Sequence, residues 1–260
     1  MNITKVSEVF FSPTGGTRKS VEMIGKAWKG NKQQIDLSAR TWPFTYCFDQ
    51  EELCIIGVPS FGGRVPEVAV ERLKNLKGNG TPALLVVAYG NRHYDDTFLE
   101  LKEVVEQQGF VAVAAIAAVT EHSIMHQYGA GRPNAADEEQ LLSFGKSVRE
   151  ALEQMTAPVS ASVPGNKPYR EYNGVPMKPQ VYKSCSKCGL CARECPVGAI
   201  PADNPGATNS EACISCMRCV KICPSHARKN KGFLVFMAAH KMKKVCSTAK
   251  ENLLFLGKGE

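Results

Sequence analysis

The sequence lacks several features that would place the protein in a membrane, outside the cell or on a nucleic acid. No apolar run approaches about 18 residues, so we expect no membrane-spanning helix. Met1-Asn2-Ile3-Thr4 begins no basic and apolar leader with a cleavage site, which favours a cytoplasmic protein. Aromatic residues make up 8% of the 260 residues, and the lysines lack the interleaved aromatics that stack on bases. We therefore expect no nucleic-acid partner.

Cysteine, in contrast, is abundant, and eight of the 11 cysteines form two copies of the pattern Cys-x2-Cys-x2-Cys-x3-Cys-Pro. This pattern resembles the bacterial ferredoxin signature, which implies a small α+β domain with two [4Fe–4S] clusters over residues 181–230. The resemblance also implies that the last cysteine of each run ligates the other cluster. The first cysteine set is then Cys185, Cys188, Cys191 and Cys223, and the second cysteine set is Cys213, Cys216, Cys219 and Cys195.

Zinc sites and disulfides are the alternatives for these cysteines. Zinc is usually held by two separated Cys-x2-Cys pairs in a closed tetrahedron. Each run here has three cysteines at intervals of three, followed by Cys-Pro, and this arrangement suits zinc poorly. Disulfides belong to secreted chains. The spacing therefore favours iron–sulfur clusters.

Ahead of the cysteines, five apolar strands alternate with helical segments. The predicted strands are residues 3–11, 34–37, 52–58, 83–89 and 110–119. Strands that alternate with helices form a parallel sheet covered on both faces, and three of these strands are nearly continuous apolar runs. We predict an α/β, doubly wound domain over residues 1–157. Such a sheet binds ligands beyond the carboxyl ends of its strands.

The loop after the first strand, Ser12-Pro13-Thr14-Gly15-Gly16-Thr17, has the composition of a phosphate-binding loop. Hydroxyls, glycines and the free N–H groups of a helix start together suit a phosphate dianion. The lysine of a P-loop is missing, so the loop suits a monophosphate better than ATP. It resembles the FMN-phosphate loop of flavodoxins. The alternative is an ordinary turn with a threonine helix cap.

Two further loops extend this resemblance to flavodoxins, in which they place an aromatic ring on each side of the flavin. They are 59–66 and 89–96, in which Phe61 and Tyr94 occupy the matching places; core packing is the alternative for each ring. His122, in the loop after the fifth strand, is predicted to contact the flavin. The predicted FMN-site residues are Ser12, Thr14, Gly15, Gly16, Thr17, Pro59, Ser60, Phe61, Gly62, Gly63, Tyr89, Gly90, Asn91, Arg92, Tyr94, Asp95 and His122.

Two segments flank the predicted ferredoxin domain. Residues 158–180 contain five prolines and little apolar content, which predicts an extended linker. Residues 231–260 form a basic tail with a helical pattern. The tail is interpreted either as a helix that packs on the rest of the protein or as a cationic surface for an acidic redox partner or an anionic membrane.

Taken together, residues 1–230 resemble flavodoxin–ferredoxin fusion proteins of anaerobic bacteria. The resemblance implies an electron-transfer protein with two [4Fe–4S] clusters and FMN, which exchanges electrons with a redox protein. Gly78-Asn79-Gly80-Thr81-Pro82-Ala83 matches a dinucleotide fingerprint but precedes a strand, so we predict a turn and no NAD(P) site. Acidic residues beside the flavin of typical flavodoxins are replaced here by Arg64 and Arg92. Because a cation near the ring stabilises the anionic hydroquinone, we predict that the second electron is added to the flavin more easily than in an acidic flavodoxin.

Two other functions stay open. An FMN-dependent reductase of a small substrate, such as a quinone or an oxidised metabolite, would have a substrate pocket beside the flavin. A regulatory module that carries clusters is less favoured, because sensing needs no flavin.

Overall fold

The computed structural model describes residues 1–41 and 45–257, which form ten strands and seven helices. Eleven of these elements lie within the predicted α/β domain, residues 1–157. These and all other elements, in chain order, are β1 Lys5–Phe10, α1 Gly16–Gly25, β2 Gln33–Asp36, β3 Tyr46–Phe48, β4 Glu52–Pro59, α2 Glu67–Leu73, β5 Leu76–Gly78, β6 Thr81–Tyr89, α3 Thr97–Glu106, β7 Phe110–Val119, α4 Ala135–Gln154, β8 Gln180–Val181, α5 Leu190–Arg193, α6 Arg218–Lys221, β9 Arg228–Lys229, α7 Gly232–Cys246 and β10 Leu253–Leu256.

The main sheet has six strands in the order β10-β7-β6-β4-β1-β2. Five of them are parallel, and they are the five strands that the sequence predicts. Counting only these five, the spatial order is second, first, third, fourth, fifth, which is the flavodoxin-like doubly wound order. The order reverses between β1 and β4, so the loops after these strands meet at the switch point.

The sheet is buried on both faces, and its central strands are apolar beyond their first residues, Glu52 and Thr81. Every residue of β6 is buried, and β4 is buried up to its last residue. On one face α1 and α4 pack on the sheet through residues such as Ile24 and Leu141. On the other face α2 and α3 pack through residues such as Leu73 and Phe98. This layering confirms the α/β prediction.

The sixth strand comes from the C-terminal tail, and the sequence analysis did not predict it. The tail forms the helix α7 and then β10, which pairs antiparallel with β7. Asn252 accepts a hydrogen bond from the backbone N–H of Val119, 2.8 Å away, and the Phe255 ring lies 5.6 Å from that of Phe98. The prediction of a helical tail was therefore incomplete. The end of the predicted tail, residues 258–260, lies outside the described residues.

The proline-rich segment lies along the surface of the α/β domain. Asp96 accepts hydrogen bonds from the backbone N–H groups of Asn166, at 2.9 Å, and Arg170, at 2.7 Å. The Arg170 side chain pairs with Asp95 at 2.6 Å. These contacts fix the path of the segment toward the carboxyl ends of the parallel strands.

The segment with the eight cysteines is held together by the short pair β8–β9 and packs against the α/β domain. Buried Arg72 of α2 donates to the carbonyl oxygen of Pro196 at 2.8 Å. Arg218 lies between Glu194, at 2.6 Å, and Asp36, at 4.0 Å. Both arginines thus connect the two parts. Within the described ranges, no helix is long and apolar enough to cross a membrane.

Candidate functional site

The loop after β1 places its hydroxyls in different positions. Gly15 adopts a left-handed conformation, with φ of 96°, immediately before α1. The Ser12 hydroxyl accepts a hydrogen bond from the Arg18 N–H at 2.9 Å, and its own N–H donates to Ser38 at 2.6 Å. Ser12 therefore holds the loop, whereas Thr14 and Thr17 reach the cleft described next.

A cleft of about 750 Å³, counted to its open mouth, lies at the switch point. We call it the switch-point cleft. The predicted site residues in its wall are Thr14, Gly16, Thr17, Pro59, Ser60, Phe61, Gly62, Gly90 and His122. Residues in its wall that the sequence analysis did not assign to the FMN site are Pro13, Ala88, Thr120, Glu121, Ser123, Ile124, Tyr172, Val175, Ile214, Ser215 and Cys216.

His122 lines the cleft as a neutral imidazole. Its Nδ1 accepts hydrogen bonds from the N–H groups of Ile124 and Met125, both at 3.1 Å. Burial, followed by the nearby His126, lowers the pKa of His122 to about 4. Since Nδ1 is an acceptor, the ring proton is on Nε2. His122 can therefore donate one hydrogen bond from Nε2.

The loop after β6 was predicted to belong to the FMN site, but the structure places most of this loop outside the cleft. The Tyr94 ring lies in the core, 5.4 Å from Tyr89 and 5.0 Å from Phe98. Asn91 donates to the carbonyl oxygens of Cys246, at 2.6 Å, and Thr248, at 3.0 Å. The loop therefore supports the core and the tail, and Gly90 is its residue in the cleft wall.

The charged residues of these loops pair with one another. Arg92 is bound to Asp95, and Arg64 pairs with Glu100 at 2.8 Å. Of the other predicted residues, Gly63 packs against Asp95, and Gly15 lines a pocket that adjoins the cleft. A cation beside the flavin was expected from Arg64 and Arg92. Both guanidinium groups are paired with carboxylates, and the wall of the cleft contains neither arginine.

A second aromatic ring in the cleft comes from the proline-rich segment. A Cβ added to Gly62 would lie 2.2 Å from the Tyr172 ring, so this ring lies directly on the glycine. Phe61 and Tyr172 are both in the cleft wall. No local pattern around Tyr172 indicates this role, because its contact with Gly62 joins residues more than 100 positions apart.

The first cysteine set is assembled around one small cavity. All four of its cysteines line this cavity, together with Pro205 and Arg228. Cys223 Sγ accepts a hydrogen bond from the Ala227 N–H at 3.3 Å. Burial alone would raise the pKa of Cys223, but hydrogen bonds from Ser225 and Ala227 outweigh it and the pKa is lowered. A lowered pKa favours the thiolate that ligates metal.

The second cysteine set is more deeply buried. Burial raises the pKa of Cys216 to about 12, and the neighbouring thiols of Cys219, Cys195 and Cys213 also contribute. Burial likewise raises the pKa of Cys219 to about 11. Four thiolates so close together repel one another unless a cation compensates them. Iron would supply that charge, so the donor set fits a metal cluster.

The two runs have matching backbone conformations. Residues two positions after the first cysteine, Lys187 and Ser215, have φ of 57° and 55°. Residues four positions after it, Gly189 and Met217, have φ of 73° and 63°. Left-handed conformations are unfavourable for residues other than glycine. Their recurrence at equivalent positions indicates that the chain turns in the same way around both sites.

A family comparison agrees with this geometry. Residues 184–228 match the model of the 4Fe-4S dicluster domain. Together with the strand order of residues 1–157, this match indicates a flavodoxin-like α/β domain followed by a ferredoxin-type 4Fe-4S domain, which is called the dicluster domain below. No curated protein matches the chain significantly.

Solved structures with flavodoxin folds overlap the α/β domain. A flavodoxin from the domain Archaea is 14% identical, with 58% of this chain and 100% of that chain covered and a TM-score of 0.38. The Megasphaera elsdenii flavodoxin is 17% identical, with coverages of 56% and 98% and a TM-score of 0.36. A Streptococcus pneumonia flavodoxin is 15% identical, with coverages of 57% and 99% and a TM-score of 0.38.

Proposed function

We propose that the protein is an electron-transfer protein that passes electrons between FMN in the switch-point cleft and two [4Fe–4S] clusters in the dicluster domain. The observation that carries this proposal is the position of Cys216. This residue of the second cysteine set lines the same cleft as Thr14 of the phosphate loop and Phe61. A flavin in the cleft would therefore lie against a cluster ligand.

The residues of the cleft fit FMN. Thr14, Gly16 and Thr17 line it at the start of α1, where helix N–H groups and the helix dipole favour a phosphate. Phe61 and Tyr172 supply two aromatic rings for the flavin. Nε2 of His122 supplies a hydrogen-bond donor for a flavin oxygen or nitrogen. Bound FMN supplies a carrier that accepts one or two electrons.

The helix α7 is the proposed docking surface for an acidic redox protein. Its residues Lys241, Lys243 and Lys244 are exposed, and the side chains of Phe233 and Phe236 are 72% and 66% exposed. The opposite side of the helix is anchored, because the Tyr128 hydroxyl donates to the Ala239 carbonyl oxygen at 2.6 Å. Cations around exposed apolar groups suit a partner with acidic residues around an apolar patch.

A second candidate function is reduction of a small anionic substrate at the flavin. A pocket that adjoins the cleft shares Thr14, Gly16, Glu121 and Ser123 with it. The same pocket carries the basic residues Lys19, Arg132, Lys221, His126 and His226. An anion bound there would lie beside the phosphate loop. Turnover of a quinone or an oxidised metabolite without any protein acceptor would favour this reductase.

Cofactor analysis and a pair of cysteine variants test the main proposal. The anaerobically purified protein is expected to contain about eight irons, about eight sulfides and one FMN. Cys216→Ser should remove one cluster and shift the absorption spectrum of the bound flavin, because it alters the cleft wall. Cys188→Ser, in the first cysteine set, should remove one cluster and leave the flavin spectrum unchanged.

The same variants distinguish the possible failures. Stoichiometric zinc without acid-labile sulfide would refute the clusters. Identical flavin spectra in Cys216→Ser, Cys188→Ser and the unmodified protein would contradict the contact between the flavin and the second cysteine set.

A further inference from the structure

The two cysteine runs differ at one buried position. Five residues after the last cysteine of each run, the first run has Ile200 and the second has Arg228. Both side chains are buried, with 4% and 2% of their surface exposed. An arginine is rarely this deeply buried without a charged partner. The difference therefore requires a physical reason.

The hydrogen bonds of Arg228 leave its charge uncompensated. Its Nη1 donates to the Thr208 hydroxyl at 2.8 Å, and its Nη2 donates to the carbonyl oxygens of Pro205, at 2.6 Å, and Ala207, at 3.0 Å. All three acceptors are neutral. Within residues 1–41 and 45–257, its buried Nε has no hydrogen-bond partner. A buried cation with an unpaired hydrogen-bond donor lowers the stability of the folded protein unless an anion lies nearby.

Arg228 shares a cavity with potentially anionic groups, because it lines the cavity of the four cysteines of the first set. It also lies near Cys219 of the second set, where its charge opposes the rise in the pKa of that thiol that burial causes. Ile200, in contrast, packs with Cys195, Cys213 and Cys219 in an apolar cluster.

We propose that Arg228 makes the cluster of the first cysteine set easier to reduce than that of the second. This inference rests on the proposed function, which places one cluster in each set. A [4Fe–4S] centre with four thiolates carries a charge of about −2 when oxidised and one more negative charge when reduced. Arg228 therefore stabilises the reduced form more than the oxidised form, and its Nε supplies a hydrogen-bond donor. Ile200 offers neither.

The inference assigns different roles to the two sites. The second cysteine set adjoins the switch-point cleft through Cys216, and the first set lies beyond it. An electron that enters from the flavin at the second set is then drawn to the first. The first site would hold the electron that the next redox partner receives.

A redox titration of the complete, cluster-loaded protein tests the order of the two sites. Paramagnetic NMR of the cysteine β-protons reports the reduction of each site separately, independently of any turnover. The first cysteine set is expected to be reduced first. Reduction of the second set first, or of both sets at equal potential, would overturn the inference, and this measurement needs no variant.

Three variants then test the role of the arginine. Arg228→Gln should lower the equilibrium constant for reduction of the first set about tenfold. For one electron, this corresponds to a decrease of about 59 mV in reduction potential. The change at the second set should be smaller. Arg228→Lys should retain most of the difference, because it keeps the charge. The matched control is Arg193→Gln, since Arg193 is exposed and donates to the Cys188 carbonyl oxygen at 3.1 Å; water should screen its charge.

The outcomes separate this inference from the proposed function. Equal shifts at both sets, or the same shift with Gln and Lys at position 228, would overturn the role of the arginine charge. A protein without iron and sulfide would refute the proposed clusters themselves. If Arg228→Gln fails to take up clusters, Arg228→Lys and the order of reduction in the unmodified protein still decide.

Discussion

Ser12 and Thr14 illustrate how two hydroxyls in one loop take different roles. Ser12 accepts the N–H of Arg18 at 2.9 Å and so fixes the start of α1. Thr14, two residues later, lies in the wall of the switch-point cleft. The Ser12 hydroxyl therefore stabilises the fold, and the Thr14 hydroxyl is available to a ligand. The composition of the loop alone does not distinguish these two roles.

Replacement of Thr14 tests the phosphate loop. Thr14→Val should weaken FMN binding by about 1–3 kcal/mol, because a phosphate oxygen loses its donor, and should leave riboflavin binding unchanged. Titration calorimetry with both flavins measures the difference. The matched control is Ser12→Ala, which should lower stability by about 1 kcal/mol and affect both flavins alike. Equal weakening of both flavins by Thr14→Val would show that the phosphate binds elsewhere.

The buried imidazole of His122 predicts a specific pH dependence. Its folded-state pKa of about 4 lies below the ordinary value of 6.5, so the unfolded chain takes up the proton first as the pH falls. The free energy of unfolding should therefore decrease below about pH 6.5. His122→Asn keeps an acceptor for the N–H groups of Ile124 and Met125 and cannot be protonated.

Denaturant unfolding, followed by flavin fluorescence at pH 7 and pH 5, measures this effect. The unmodified protein should lose about 1–2 kcal/mol more than His122→Asn between these pH values. If both proteins lose the same amount, His122 is not the buried titrating group.

At the scale of secondary structure, β10 shows what the tail contributes to the α/β domain. It covers the free edge of β7, whose backbone groups would otherwise be open to pairing with another chain. Its Phe255 side chain packs on the core, while Leu256 is 38% exposed. The strand is therefore part of the domain that begins at residue 1.

Two substitutions in this strand test its role. Phe255→Ala should lower the free energy of unfolding of the α/β domain by about 2–3 kcal/mol, because a partly buried ring is lost from the core. Leu256→Ala, on the exposed side of the same strand, should cost less than about 0.5 kcal/mol. Denaturant unfolding measures both values. Similar, small effects would indicate that β10 rests loosely on the sheet edge.

At the scale of the whole molecule, charge is distributed unevenly. The formal net charge is +7, and eight of the cations lie within residues 226–260. The fold removes Arg228 from this basic surface by burying it, whereas the lysines of α7 stay exposed. Three of the exposed cations, Lys241, Lys243 and Lys244, thus lie on one helix that also carries exposed Phe233 and Phe236.

A triple variant tests docking through this helix. Changing Lys241, Lys243 and Lys244 to Gln should slow electron transfer to an acidic partner at low salt and flatten the dependence on salt. Stopped-flow kinetics measures the rates, and cluster and flavin spectra should stay unchanged. Tighter binding of the unmodified protein to anionic vesicles than to the acidic partner would instead indicate a membrane surface. Unchanged rates at low ionic strength would exclude docking through the three lysines.

The sequence by itself determined those features that rest on local patterns. Strand and helix periodicity specified the five parallel strands, because each period is set by neighbouring residues. Cysteine spacing specified the dicluster domain, since three ligands of each site lie within seven residues. The phosphate loop was predicted from a local pattern too, and most of the residues of this loop line the cleft.

Only the tertiary structure decided which distant residues meet. It placed Tyr172 against Gly62, moved Tyr94 into the core and brought Cys216 into the cleft wall. It also paired β10 with β7 and buried Arg228 among neutral acceptors. The physical reason is that such contacts depend on how whole elements pack, and a short window of sequence carries no information about which other elements will pack against it.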